Sequence, residues 1–159
     1  MQRYLLDIFG TRECRWTGSG CQTANDGTTI LCSVLKDTHT HGVALIVCKE
    51  KVKTMIEWEP ISERMIRARF NSKYSKFTII QCYAPATNVA EEQDKDNWCE
   101  LLQQTVAKVP QHDMLLIIGD VNAEVGADNT DREQTMGIHG CGEANENGGL
   151  LIDFCLNKN

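Results

Sequence analysis

The chain alternates short apolar runs of strand length with polar connectors, and one long stretch near its middle has helical spacing. Thr29 to Leu35, Val43 to Cys48, Phe77 to Tyr83 and Met114 to Ile118 each read as a strand. The uninterrupted apolar character of the last predicts burial on both faces. Met65-Ile66-Arg67-Ala68-Arg69-Phe70 alternates instead, which predicts Ile66, Ala68 and Phe70 toward a core and Arg67 and Arg69 on a solvated face. Between about Ala90 and Val109, apolar residues at Trp98, Leu101, Leu102, Val106 and Val109 lay one stripe on a helix. Glu91, Glu92 and Asp94 suit its N-terminus and Pro110 ends it.

Turn residues punctuate this pattern. Tyr4 to Gly10 reads as the end of a helix running into a buried strand, and Asn25-Asp26-Gly27 predicts a hairpin turn between two short strands. Thr54 to Trp58 is expected to end at Pro60, and Ala84-Pro85 to stop the preceding strand with Tyr83 at its tip. A polar, Gly-rich loop runs from Ala123 to Gly149, followed by a short amphipathic helix carrying Leu150, Leu151, Phe154 and Cys155. Strands outnumber helices and the best helix connects two strands, so the expected fold is a mixed α/β sandwich in one domain spanning 1–159 rather than a regular βαβ repeat.

Composition narrows the function classes. With 42% hydrophobic and 24% charged residues the chain reads as globular rather than disordered. No apolar run approaches the roughly 18 residues of a membrane span, and the start lacks a signal-peptide layout, so a nuclear or cytoplasmic protein without a membrane partner is expected. A net charge of −6 argues against gripping nucleic acid by bulk positive charge. It leaves room for an enzyme that meets phosphate through a metal ion and a local basic face. The eight cysteines include no C-x-x-C pair, and Cys32, Cys48, Cys82 and Cys155 lie in apolar segments, as reduced structural thiols do. His39 and His41 have no carboxylate or thiol pair beside them and read as a solvated turn.

Candidate chemistry sits at strand ends: Glu13, Tyr83, and the pair Asp120 and Asn122. Magnesium takes oxygen ligands, typically one or two carboxylates completed by water and phosphate, and Glu13 is such a donor. Phosphodiester hydrolysis needs an aligned water and donors to the phosphate oxygens. Asp120 can orient or deprotonate the water, while the Asn122 amide and the Tyr83 hydroxyl can donate. Taken singly, each has a structural alternative: Glu13 in a surface ion pair, Tyr83 a core residue with a wet tip, and Gly119-Asp120-Val121-Asn122 an Asx-type turn.

Taken together, the words Glu13-Cys14-Arg15-Trp16-Thr17-Gly18-Ser19-Gly20, His41-Gly42-Val43-Ala44, Gln81-Cys82-Tyr83-Ala84-Pro85, Gly119-Asp120-Val121-Asn122 and Met136-Gly137-Ile138-His139-Gly140 form an ordered set. In that order the chain resembles the endonuclease/exonuclease/phosphatase superfamily. More closely it resembles the endonuclease domain of RTE-type non-LTR retrotransposons and their craniofacial development protein 2-like relatives. The resemblance implies a deoxyribonuclease I-like four-layer α/β sandwich, incomplete at both ends, with DNA as substrate and magnesium, or manganese, as cofactor. It assigns Glu13 to the metal, Tyr83 to phosphate contact, Asp120 to water alignment and Asn122 to its amide partner.

Departures from that pattern lie at both ends and before the glutamate. Family members carry an Asn on an earlier strand and an Asp and a closing Asp-His pair on later ones, positions that fall outside Met1 to Asn159. Thr11 and Arg12 stand where small or apolar residues are usual. Because a positioned acid or base is worth about 10² to 10⁴ in rate, these 159 residues are expected to have little or no activity on their own. The alternative is a non-catalytic remnant that binds nucleic acid or protein.

Overall fold

The computed structural model describes residues 2–16, 18–34, 42–86 and 91–157, so His39 and His41 lie outside the described residues. The chain forms two compact units, one from residues 1–83 and 108–119 and the other from 84–107 and 120–159. Among the described residues it is mixed α/β, with two four-stranded sheets and three α-helices.

In the first unit, β1 (Ile8–Cys14), β2 (Gly20–Thr23), β3 (Thr29–Ser33) and β4 (Gly42–Val47) build one sheet in the order β1-β4-β3-β2. The predicted hairpin joins β2 to β3, with Thr23 opposite Thr29 and Gly27 at φ 85°, a left-handed turn position suited to glycine. After the short helix α1 (Lys49–Val52), β5 (Met55–Ser62), β6 (Met65–Asn71) and β7 (Lys76–Tyr83) form a second sheet, completed by β8 (Met114–Asp120) in the order β5-β6-β7-β8. The sheets bury one core: Leu31, Val43, Leu45 and Val47 from the first, Ile66, Ala68, Phe70 and Ile79 from the second. Phe70 stacks on Phe77 with ring centroids 5.3 Å apart, a contact worth about 1 kcal/mol beyond burial.

Sheet position corrects four sequence expectations. Among the described residues β8 borders its sheet, with Met114 and Leu116 exposed, so its apolar run is half-buried there rather than covered on both faces. β1 is likewise an edge strand, preceded by only a three-residue 3-10 turn (Gln2–Tyr4), with Tyr4, Leu5 and Phe9 exposed. β5 continues through Pro60, because an edge strand tolerates a residue that cannot donate to the ladder. Ile66, Ala68 and Phe70 are buried as expected, but the two arginines between them are ion-paired rather than simply solvated. Arg67 reaches Glu57 and Glu59, and Arg69 grips Asp113 through Nε and Nη2 at 2.7 and 2.9 Å.

The second unit holds α2 (Glu92–Ala107) and α3 (Glu146–Leu156) with the loop that precedes α3. α2 buries Leu102 and Val106 of the predicted stripe. α3 begins earlier than the Gly-rich composition suggests, since Asn145 caps it by accepting from the Gly148 N–H at 2.8 Å. Gly148 lies where a Cβ would stand 1.9 Å from the Glu124 carbonyl oxygen, so glycine here serves close packing inside a helix rather than a loop.

All eight cysteines are free. Cys32 and Cys82 are buried, Cys48 and Cys155 half-buried, and Cys21 and Cys141 exposed. Burial pushes the Cys32 thiol up to about 11, which keeps it protonated and unreactive.

Candidate active site

Glu13 is the supernumerary residue of β1. Arg12 pairs with Val43 and Cys14 with Gly42, which are consecutive on β4, so the register shifts at Glu13 and leaves it without an opposite number. Its φ of 58° is left-handed, an unusual conformation for a glutamate, and such a bulge re-aims the side chain. The carboxylate is 60% exposed. Its Oε1 accepts from the Tyr83 hydroxyl at 3.1 Å and from Arg12 Nη1 at 2.8 Å.

Tyr83, at the tip of β7 as expected, is fixed by its backbone, which donates to the Arg64 carbonyl at 2.9 Å. The Arg12 and Arg64 guanidinium carbons lie 5.0 and 5.2 Å from its ring centroid. Two guanidiniums thus flank the tyrosine that donates to this carboxylate. The sequence marks Arg12 only as standing where a small or apolar residue is usual, and it does not mark Arg64. Neither arginine stands in a word that points to the tyrosine.

In the second unit, Asp120 and Asn122 are paired by a tight local turn: Asp120 Oδ1 accepts from the Asn122 N–H at 2.9 Å. This is the Asx geometry, and Asn122 takes φ 48°, which asparagine tolerates better than most residues. The Asn122 side chain donates through Nδ2 to the Ala84 carbonyl at 2.8 Å, so one of its amide hydrogens holds the chain rather than pointing to a ligand. The Ala84 N–H in turn donates to the Asp120 carbonyl at 2.9 Å.

Two asparagines that sequence reasoning missed clamp this turn. Asn145 donates to the Asn122 carbonyl at 3.1 Å while its Oδ1 accepts from Glu124 and Gly148. Asn147, buried, donates to the Pro85 and Val121 carbonyls at 3.0 and 3.1 Å. The available signal was an asparagine directly before a helix, the usual N-cap.

Among the described residues no group of three or more His, Cys, Asp and Glu gathers as a metal-binding cluster. A closed zinc-type site would need such a cluster. An exposed single carboxylate such as Glu13 fits the other style of site, in which magnesium keeps several waters and takes phosphate oxygens for the remainder.

No protein-family model matches the chain. It is 39% identical over 155 residues to craniofacial development protein 2 of Bos taurus, and equally so to that of Tragulus javanicus. Each alignment covers 98% of this chain and 26% of the relative. The chain is thus homologous to a segment of craniofacial development protein 2, and it spans about a quarter of the length of those relatives.

Proposed function

We propose that these residues are part of a magnesium-dependent phosphodiesterase of the endonuclease/exonuclease/phosphatase type, acting on DNA and descended from an RTE-type retrotransposon endonuclease. The fold we infer for the whole domain is the deoxyribonuclease I-like four-layer sandwich. The observation that carries the reading is the strained, bulged Glu13 held by the Tyr83 hydroxyl. A left-handed glutamate costs about 1 to 2 kcal/mol, and an exposed ion pair alone returns less.

In this reading Glu13 holds the metal, with manganese as substitute. When bound, the ion supplies positive charge to the phosphate oxygens. Tyr83 donates its hydroxyl to a non-bridging oxygen, and the neighbouring guanidiniums favour the approach of an anion. Asp120, its carboxylate set by the Asn122 N–H, aligns the attacking water and accepts its proton. Asn122 acts first by fixing the turn that carries Asp120.

A plasmid-nicking assay with magnesium, run beside Asp120→Ala and Glu13→Gln, tests this. Slow nicking lost in both variants and in EDTA is the expected result. DNA binding that persists in EDTA and is unchanged by both substitutions, with no nicking, would replace the enzyme by a non-catalytic binding piece.

A further inference from the structure

We propose that Arg12 is a built-in competitor for the cation at Glu13 and sets how tightly this carboxylate holds a divalent metal; the proposal rests on Glu13 being the metal ligand. On a regular strand, consecutive side chains point to opposite faces and cannot pair. Here the bulge and the left-handed φ of Glu13 break that alternation, so Arg12 Nη1 reaches Glu13 Oε1 at 2.8 Å. The guanidinium therefore engages the oxygen that also receives the Tyr83 hydroxyl.

A metal ion must compete with that guanidinium for the carboxylate. The exchange is easy for two reasons. Both side chains are well exposed, at 42% and 60%, so their attraction is screened and small. Arg12 also has a second seat, since its guanidinium carbon lies 5.0 Å from the Tyr83 ring centroid and the cation–π contact survives loss of the carboxylate. Arg12 thus lowers metal affinity without blocking the site, and it stays beside the tyrosine.

Manganese binding to the 159-residue chain, followed by the electron paramagnetic resonance of free Mn²⁺ at low ionic strength, provides a test that does not depend on activity. Arg12→Gln is expected to tighten binding by about two- to fivefold, the range an exposed pair supports. Arg12→Lys should stay nearer the native value. The gain should vanish in the Arg12→Gln/Glu13→Gln double variant and shrink at about 1 M salt, where the screening length falls to about 3 Å. Far-UV circular dichroism checks that each variant folds. If Glu13→Gln weakens binding while Arg12→Gln leaves it unchanged, the competition is overturned and Glu13 remains the ligand. If Glu13→Gln has no effect, or no variant binds manganese, the ligand assignment itself is overturned.

Discussion

The Tyr83 hydroxyl donates to Glu13 Oε1 at 3.1 Å, joining two residues 70 positions apart on different sheets of the first unit. Removing the hydroxyl alone leaves the ring in place beside both guanidiniums. Tyr83→Phe should therefore cost about 0.5 to 1.5 kcal/mol of stability in urea unfolding. It should lower any magnesium-dependent nicking by about tenfold or more, because a donor aimed at developing charge is worth more in the transition state than in folding.

Glu13 itself is expected to trade stability for its position. Glu13→Gly and Glu13→Asn both suit a φ of 58° better than glutamate. Thermal unfolding of these variants should show midpoints equal to or above the native one, while metal binding falls. A midpoint lowered by several degrees in both would show that the left-handed conformation carries no strain.

Asn147 satisfies two carbonyls in a buried position. Asn147→Ala leaves the Pro85 and Val121 oxygens without that donor and should cost about 2 to 4 kcal/mol, measured by denaturant unfolding. Amide hydrogen exchange should quicken in residues 120–124, the turn that this asparagine and Asn145 clamp.

Asp113 makes stability depend on acid. Hydrogen bonds from Arg69 and then Thr78 hold its carboxyl below the usual carboxylate range. The folded form thus binds its proton more weakly than the unfolded form does. Its contribution is fully present above the ordinary carboxylate range and is lost as pH falls through that range toward the lowered folded value. Denaturant midpoints measured from pH 6 to pH 2.5 should fall less steeply for Asp113→Asn than for the native chain, which starts higher.

Gly119 stands at φ 133°, and a Cβ there would lie 1.9 Å from the Cys82 carbonyl oxygen. Gly119→Ala should therefore destabilise by more than about 3 kcal/mol, through both strain and backbone displacement. Loss of the β8 amide protection in hydrogen exchange would locate the damage.

Much of the fold was legible because periodicity reports which side of an element is apolar. The β2–β3 hairpin, the β6 alternation and the α2 stripe all lie where the residues place them. What periodicity does not carry is whether a strand is central or at an edge. Met114 to Ile118 reads as fully buried because its residues are all apolar, yet it borders a sheet. Of the proposed site, Tyr83, Asp120 and Asn122 stand out in the sequence as strand-end polar residues. The Asn145 and Asn147 clamps and the Arg64 contact do not, since they depend on which segments the fold brings together.

The register of β1 separates the proposed metal ligand from the architecture by a single codon. Deleting Glu13 would set Arg12 and Cys14 side by side opposite Val43 and Gly42, healing the ladder into a regular strand. A chain shortened in this way would keep its sheet and lose its acid, so an in-frame deletion at this point is expected to remove the proposed metal ligand while leaving the protein able to fold.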